Sequence, residues 1–272
     1  MKHAAFPRLM TIAGLCASGI AFDARAGGWP LPQGKGEIIV TASRLSADER
    51  YDSDGTKRWT SRYTKYEISS YAEYGFSDDL TLIGELAWTR EKTDFFGLEF
   101  EDDGFSRVKA GARYSIGAWK GTLFSIQPLM TLHLDDAGDD PAATKDGSVD
   151  AEIGIVLARN GELFGASIFS VQEAAWRFRD GDRPDQLRAD IVLGGNPLPG
   201  TMLLLKSLNT ASAKSTSTGE LYRSSKLSFS VVQDIPASIL PGVAVEAGLE
   251  QTIAGRSAIH DTIWRAAVWY RF

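Results

Sequence analysis

The sequence predicts an all-β fold: a single transmembrane antiparallel β-barrel of about twelve strands. Three observations predict it. Segments of about ten residues alternate apolar and polar side chains along most of the chain. The connections between them alternate between short turns and longer, more charged loops. The chain ends on a strand whose apolar face stops at an aromatic residue, Phe272.

Composition frames this reading. A chain of 272 residues suits one large barrel. With 24% charged and 43% hydrophobic residues it is neither a disordered chain nor a helical membrane protein. Past the first residues, no run approaches the roughly 20 apolar residues of a spanning helix. The 27 glycines and the 10% aromatic share fit tight turns and interfacial rings.

Residues 1–26 read as a cleavable secretory signal. Lys2 and Arg8 give a positive start, Leu9 to Phe22 an apolar stretch, and Ala24-Arg25-Ala26 a small-x-small site, with cleavage after Ala26. Cys16, the single cysteine, lies inside the apolar stretch, and Leu15 and Ala13 stand in the wrong order for a lipobox. Its loss with the signal leaves a chain unable to form a disulfide or a thiolate metal site. The signal carries Lys2, Arg8 and Arg25 against Asp23, so cleavage takes the net charge from −6 to −8. That acidic balance argues against nucleic-acid binding and suits loops facing lipopolysaccharide, where divalent cations bridge acidic groups.

Residues 27–36 are too rich in Gly and Pro for a regular element and read as a short periplasmic leader; residues 37–272 form the barrel. The segment Tyr66 to Phe76 sets the pattern. Tyr66, Ile68, Ala72, Tyr74 and Phe76 share one face; Glu67, Ser69, Tyr71 and Glu73 share the other. After the turn Ser77-Asp78-Asp79, Leu80, Leu82, Leu86 and Trp88 oppose Thr81, Ile83, Glu85 and Thr89. Similar stripes follow from Val108, Phe124, Val149, Leu187 and Val243, and a moderate one over Tyr222 to Val232. Glu37 to Leu45, Phe164 to Phe178 and Met202 to Asn209 alternate less cleanly. With the last strand these give the even number that single-chain barrels require.

Longer loops are expected at Ser46 to Thr60, Lys92 to Gly104, Asp135 to Gly147, Arg179 to Pro184 and Thr210 to Gly219. Short periplasmic turns and long external loops then place both termini in the periplasm. In the last strand, Trp264, Ala266, Val268, Tyr270 and Phe272 share a face. Phe272, Tyr270, Val268 and Trp264 are the expected insertion signal, read by the outer-membrane assembly machinery through edge pairing. Trp29, Tyr66, Tyr74, Phe76, Trp88, Tyr114, Trp264 and Tyr270 are candidates for interfacial aromatic girdles.

Two stretches carry a family resemblance. Gly28-Trp29-Pro30-Leu31-Pro32-Gln33-Gly34-Lys35-Gly36 resembles the mature start of XagA-type proteobacterial outer-membrane proteins, which are linked to exopolysaccharide production. Glu73-Tyr74-Gly75-Phe76-Ser77-Asp78-Asp79-Leu80-Thr81-Leu82 resembles a hairpin of the same group, shared in style with small-molecule transporters of aromatic-compound degradation. The resemblance implies an outer-membrane barrel and brings no catalytic residues.

If the apolar faces meet lipid, the polar faces line the lumen. The pore-lining candidates are Glu67, Glu73, Glu85, Arg107, Lys109, Arg113, Arg188, Asp190, Glu246, Glu250 and Arg265, with Arg271 adding charge. They form either a transverse field that orients a polar solute or a structural ladder of paired charges. The expected function is a passive channel or transporter for a small solute, probed against two alternatives. One is a structural or assembly barrel for exopolysaccharide export. The other is a membrane hydrolase, for which His133 near Asp135 and Asp136, or His260 beside Asp261, would activate water. No Ser sits two residues after either histidine, neither belongs to a metal-spacing cluster, and no phosphate-cradling glycine motif is present. Asp52-Ser53-Asp54-Gly55 lacks the remaining ligands of a calcium loop. The reading is therefore a non-enzymatic outer-membrane monomer without a cofactor, whose partners are lipid, lipopolysaccharide, the assembly machinery and a small solute.

Overall fold

The computed structural model describes residues 27–95, 97–134, 147–180, 183–213 and 221–272. The expected signal with Cys16, the residues Asp135 and Asp136, and most of the predicted loop from Thr210 to Gly219 lie outside the described residues.

The strands are β1 (Gly36–Tyr51), β2 (Lys57–Gly75), β3 (Leu80–Phe95), β4 (Leu98–Trp119), β5 (Thr122–His133), β6 (Val149–Leu163), β7 (Ala166–Arg179), β8 (Gln186–Leu198), β9 (Thr201–Ser212), β10 (Arg223–Asp234), β11 (Val243–Arg256) and β12 (Ala258–Arg271). Each pairs antiparallel with its sequence neighbours, and β1 also pairs with β12, so the sheet closes on itself. At the seam Gly36 and Phe272 exchange both backbone hydrogen bonds, each at 3.0 Å. A ring built this way has no edge strand and leaves no row of unpaired amides.

Alternation decides which side faces out. Ile68, Leu86, Val108, Ile155 and Val268 are exposed, while Glu73, Thr81, Arg113, Ser125 and Glu152, of opposite parity, are buried within the ring. The apolar stripes legible in the sequence are thus the outer surface. Two-residue turns join β4 to β5 and β6 to β7. Lys120 and Gly121, and Phe164 and Gly165, all have positive φ, the geometry that matches the twist of flanking strands.

Two predicted loops are corrected. Ser46 to Thr60 and Lys92 to Gly104 are mostly strand, with turns only between Tyr51 and Lys57 and between Phe95 and Leu98. Cross-strand contacts hold these extensions: Arg90 and Lys92 both engage Glu101, and Lys57 donates a hydrogen bond to His260 at 2.9 Å. From Thr89 to Asp94 and from Glu101 to Asp103 both faces are polar, so no apolar stripe marks the strand.

The inside is not uniformly polar. Val156, Phe169, Leu204, Val232 and Trp269, with smaller neighbours, form an apolar cluster near the end of the barrel that carries the short turns and the seam residues. The Phe169 ring lies flat on β8 because Gly194 has no side chain; a Cβ there would stand 1.9 Å from the ring. Gly194→Val should therefore displace the ring and destabilise the barrel by about 1–3 kcal/mol. A urea titration of the folded protein checks this; an unchanged midpoint would count against the packing described.

Candidate functional site

All the pore-lining candidates fall on the inner face, where they form separate clusters rather than one. On β2–β4, Arg107 grips Glu67 with two guanidinium nitrogens at 2.8 and 3.0 Å and donates to Glu85 at 2.7 Å. Lys109 adds a bond to Glu85 at 2.9 Å. On β6–β8, Glu152 accepts from Arg177 at 2.8 Å and from Arg188 at 2.7 Å, and Arg188 also holds Asp190 at 2.6 Å. On β10–β12, Arg265 pairs with Glu250, while Lys226 reaches Asp261 at 2.7 Å and Glu250 at 3.5 Å.

These clusters share a layering. The Arg188 and Lys226 side chains are 22% and 23% exposed, whereas Glu152, Glu250 and Asp261 are 5–6% exposed. The carboxylates sit against the wall and the cations lie over them, toward the lumen. Close pairing offsets the cost of taking charge out of bulk water. Lys65, Glu173, Arg177 and Lys226 were absent from the sequence-derived candidates, and Asp261 entered only beside His260; their place on the inward face of their strands is the signal that marks them.

The leader is the main departure from expectation. Residues 27–31 lie inside the ring, and the exposed residues 32–35 run along its rim to β1. Gly34 donates to the carbonyl of Gly75 at 2.9 Å, Gln33 to Asp78 at 3.1 Å and Leu31 to the Thr81 hydroxyl at 3.0 Å. From this hairpin the chain crosses to β6 and β7. There Trp29 stands edge-on to Phe169, with ring centroids 5.9 Å apart, and Gly28 packs so closely that a Cβ would lie 2.5 Å from Val171. Trp29 is therefore not a girdle residue. On the other flank Arg113 donates to the Trp29 carbonyl, to Glu73 at 2.8 Å and to Gln127 at 2.9 Å. Tyr71 donates its hydroxyl to the same Glu73.

Thr41, Ser43, Ser69, Lys65, Glu67 and Arg265, together with the apolar Leu45 and Ile263, border a cavity of about 330 Å³ along β12, β1 and β2. Its hydroxyls and opposite charges give water partners within a mixed lining.

The outer face carries the remaining candidates. Trp264, Val268, Tyr270 and Phe272 are exposed, and Tyr270 stacks on Phe272 at 5.7 Å. Tyr66, Tyr74, Phe76, Tyr114, Trp264 and Tyr270 point outward, and Trp88 is half-buried on the same face. Tyr66 and Tyr74 stand eight residues apart on β2, about 26 Å of extended chain, which a strand tilt of about 40° turns into about 20 Å along the barrel axis. The histidines are not brought together: His133 on β5 meets Asp150 at 3.0 Å, and His260 on β12 meets Glu49 at 3.1 Å. Asp261 is taken by Lys226.

No family model matches the chain, and no curated protein matches it. Solved structures do. An outer membrane channel from Pseudomonas putida F1 aligns with a TM-score of 0.71 at 14% identity, over 91% of this chain and 99% of that one. The transport unit of the autotransporter AIDA-I from Escherichia coli aligns at 0.52 and 11% identity, over 92% of each chain. The NanC porin aligns at 0.51 and 9% identity, over 86% of this chain and all of that one. At these identities the likeness establishes the fold, that of closed outer-membrane barrels.

The Arg113–Glu73 pair is almost fully buried, so removing one partner strands a charge. Arg113→Ala should cost about 3–5 kcal/mol, and Arg113→Met with Glu73→Leu should recover most of it. Denaturant titration of the three proteins checks this; an equal loss in the single and double variants would refute it.

Proposed function

We propose that the protein is an outer-membrane channel for a small polar solute. The observation that carries the reading is a cavity of about 330 Å³, lined by three hydroxyls and three charges besides Leu45 and Ile263, within a ring whose exterior is apolar. An exterior of this kind belongs in lipid, and a hydroxyl- and charge-lined interior belongs in water. The rest of the reading follows from the same arrangement. Residues 1–26 direct export and leave, the end with short turns and both termini faces the periplasm, and Phe272 with its stripe serves insertion. The XagA resemblance supports the same location. Its two stretches, the leader and the Glu73–Leu82 hairpin, bind one another through Leu31, Gln33 and Gly34.

The leader sets how much passes. It occupies the short-turn end between the Glu73–Arg113 pair and the Phe169–Val171 wall, so flow is confined to the space it leaves. Ion flow then depends on the charges at that space, Lys65, Glu67 and Arg265.

Planar-bilayer recording of the refolded protein, after its gel mobility is seen to shift on boiling, tests the proposal. Small discrete steps are expected, larger steps after deletion of residues 27–33, and a reversal potential moved toward anion preference by Glu67→Lys. A folded barrel that conducts nothing with or without the leader would overturn the channel reading. Separately, deletion of Phe272 should lower the yield of folded barrel in the outer membrane, and an unchanged yield would refute the insertion role.

A further inference from the structure

The outer wall carries a charge where its apolar stripes call for none. Along β5, β6 and β7 the outward positions hold no Asp or Glu and a single cation, Arg159, which shares its face with the exposed Ile153 and Ile155. An ionised side chain on a lipid-facing wall is costly within the hydrocarbon and tolerated where it reaches an interface or an anion. Arg159 stands four residues before Leu163, the end of β6, so its stem carries the guanidinium toward the short-turn end.

Other groups meet it there. Trp119 stands opposite Thr122, and Thr122 opposite Arg159. Neighbouring strands lie about 4.8 Å apart, so a ring, a hydroxyl and a guanidinium share one short outward row. Lys120, in the turn beyond Trp119, holds its ammonium over the Trp119 ring, 4.6 Å from the centroid. Lys120 and Arg159 are exposed, and among the described residues neither forms a salt bridge. Glu162, the nearest acid along β6, has the inward parity and stands opposite Ser167. The patch is thus accessible and net positive.

The same row opens onto a groove. Arg159 borders an outward trough of about 450 Å³ that runs across β6 to β10. Gly161 stands opposite Ile168 and Ile168 opposite Gly195, so side chains are missing on both sides of Ile168. The exposed Leu163, Leu193, Leu203, Leu205 and Phe229 form the walls. We infer that this face holds one molecule of an anionic glycerophospholipid, its phosphate between Lys120, Thr122 and Arg159 and an acyl chain in the groove. Each part selects the occupant. Guanidinium and ammonium match a phosphate, and an indole ring suits the head-group level. Beyond Arg159 the leucine and phenylalanine walls fit a hydrocarbon tail, whereas a peptide lying there would leave its amides unpaired. The inference rests on the outer-membrane reading with short turns in the periplasm, which puts phospholipid rather than lipopolysaccharide at this level.

Native mass spectrometry of the refolded, heat-modifiable protein in non-ionic detergent tests the site. Phosphatidylglycerol, phosphatidylcholine with the same chains, and lipopolysaccharide are added in turn. One phosphatidylglycerol should be retained, roughly tenfold or more tightly than phosphatidylcholine. Lys120→Gln with Arg159→Gln should abolish that preference. Gly161→Leu should weaken both phospholipids alike by filling the trough; a Cβ there meets only Ile168, at an ordinary contact of 3.5 Å. Each variant is a test by itself should the other fail to fold. Equal retention of the two phospholipids by wild type, or undiminished phosphatidylglycerol retention by either folded variant, would overturn the inference. A preference for lipopolysaccharide would overturn it together with the periplasmic placement of the short turns. Retention is read without current. A barrel that conducts but does not prefer phosphatidylglycerol therefore overturns the lipid site alone, and one that retains this lipid but never conducts overturns the channel alone.

Discussion

Everything in this structure depends on the pairing of β1 with β12. A sheet of twelve strands left open would expose two long edges, and in a hydrocarbon surrounding each unpaired amide and carbonyl costs several kcal/mol. Closure removes both edges and at the same time creates an interior. Once the ring is closed, side-chain alternation has only one consistent solution: one parity meets the outside and the other is confined with its neighbours. The charges of Glu73, Arg113, Glu152 and Arg188 face inward for that reason.

Confinement then decides how those charges are arranged. A ring of twelve strands is wider than one that its own side chains just fill, and it holds the leader and a cavity besides them. Carboxylates near the wall such as Glu152, Glu250 and Asp261 are each covered by one or two cations, and the long stems of arginine and lysine carry the charge toward the lumen while their methylenes pack below. Where apolar residues take over, around Phe169, Leu204 and Trp269, the interior behaves as an ordinary core and accepts Trp29 as one more member. Polar and apolar walls facing one another across the leader explain how a segment with no regular structure is held in place: Arg113 fixes its backbone and Phe169 its side chain.

The strand count, the outward stripe and the inward position of the candidate charges were legible in the sequence because a period of two repeats on most of the spanning segments. The strand extensions around Arg90 and Lys57 were not, since charged pairs such as Lys92 with Glu101 alternate without any change in polarity. Trp29 was misread for a different reason. An aromatic near a barrel end fits a girdle or an interior equally well, and only the shape of the opposing wall, bare at Gly194 and filled by Phe169, distinguishes them. The cavity beside Thr41, Ser43 and Ser69 was likewise invisible, because it arises from small residues on strands distant in sequence, β1, β2 and β12.

The leader's position also fixes what narrows the lumen at one end. Gly28 to Leu31 run between the Arg113–Glu73 pair and the Phe169–Val171 wall, while Gln33 and Gly34 bond to the hairpin at the rim. The constriction is therefore made of backbone tied on both flanks rather than of long side chains, which swing through several rotamers. A strip of main chain held in this way gives the lumen a fixed floor instead of a yielding one.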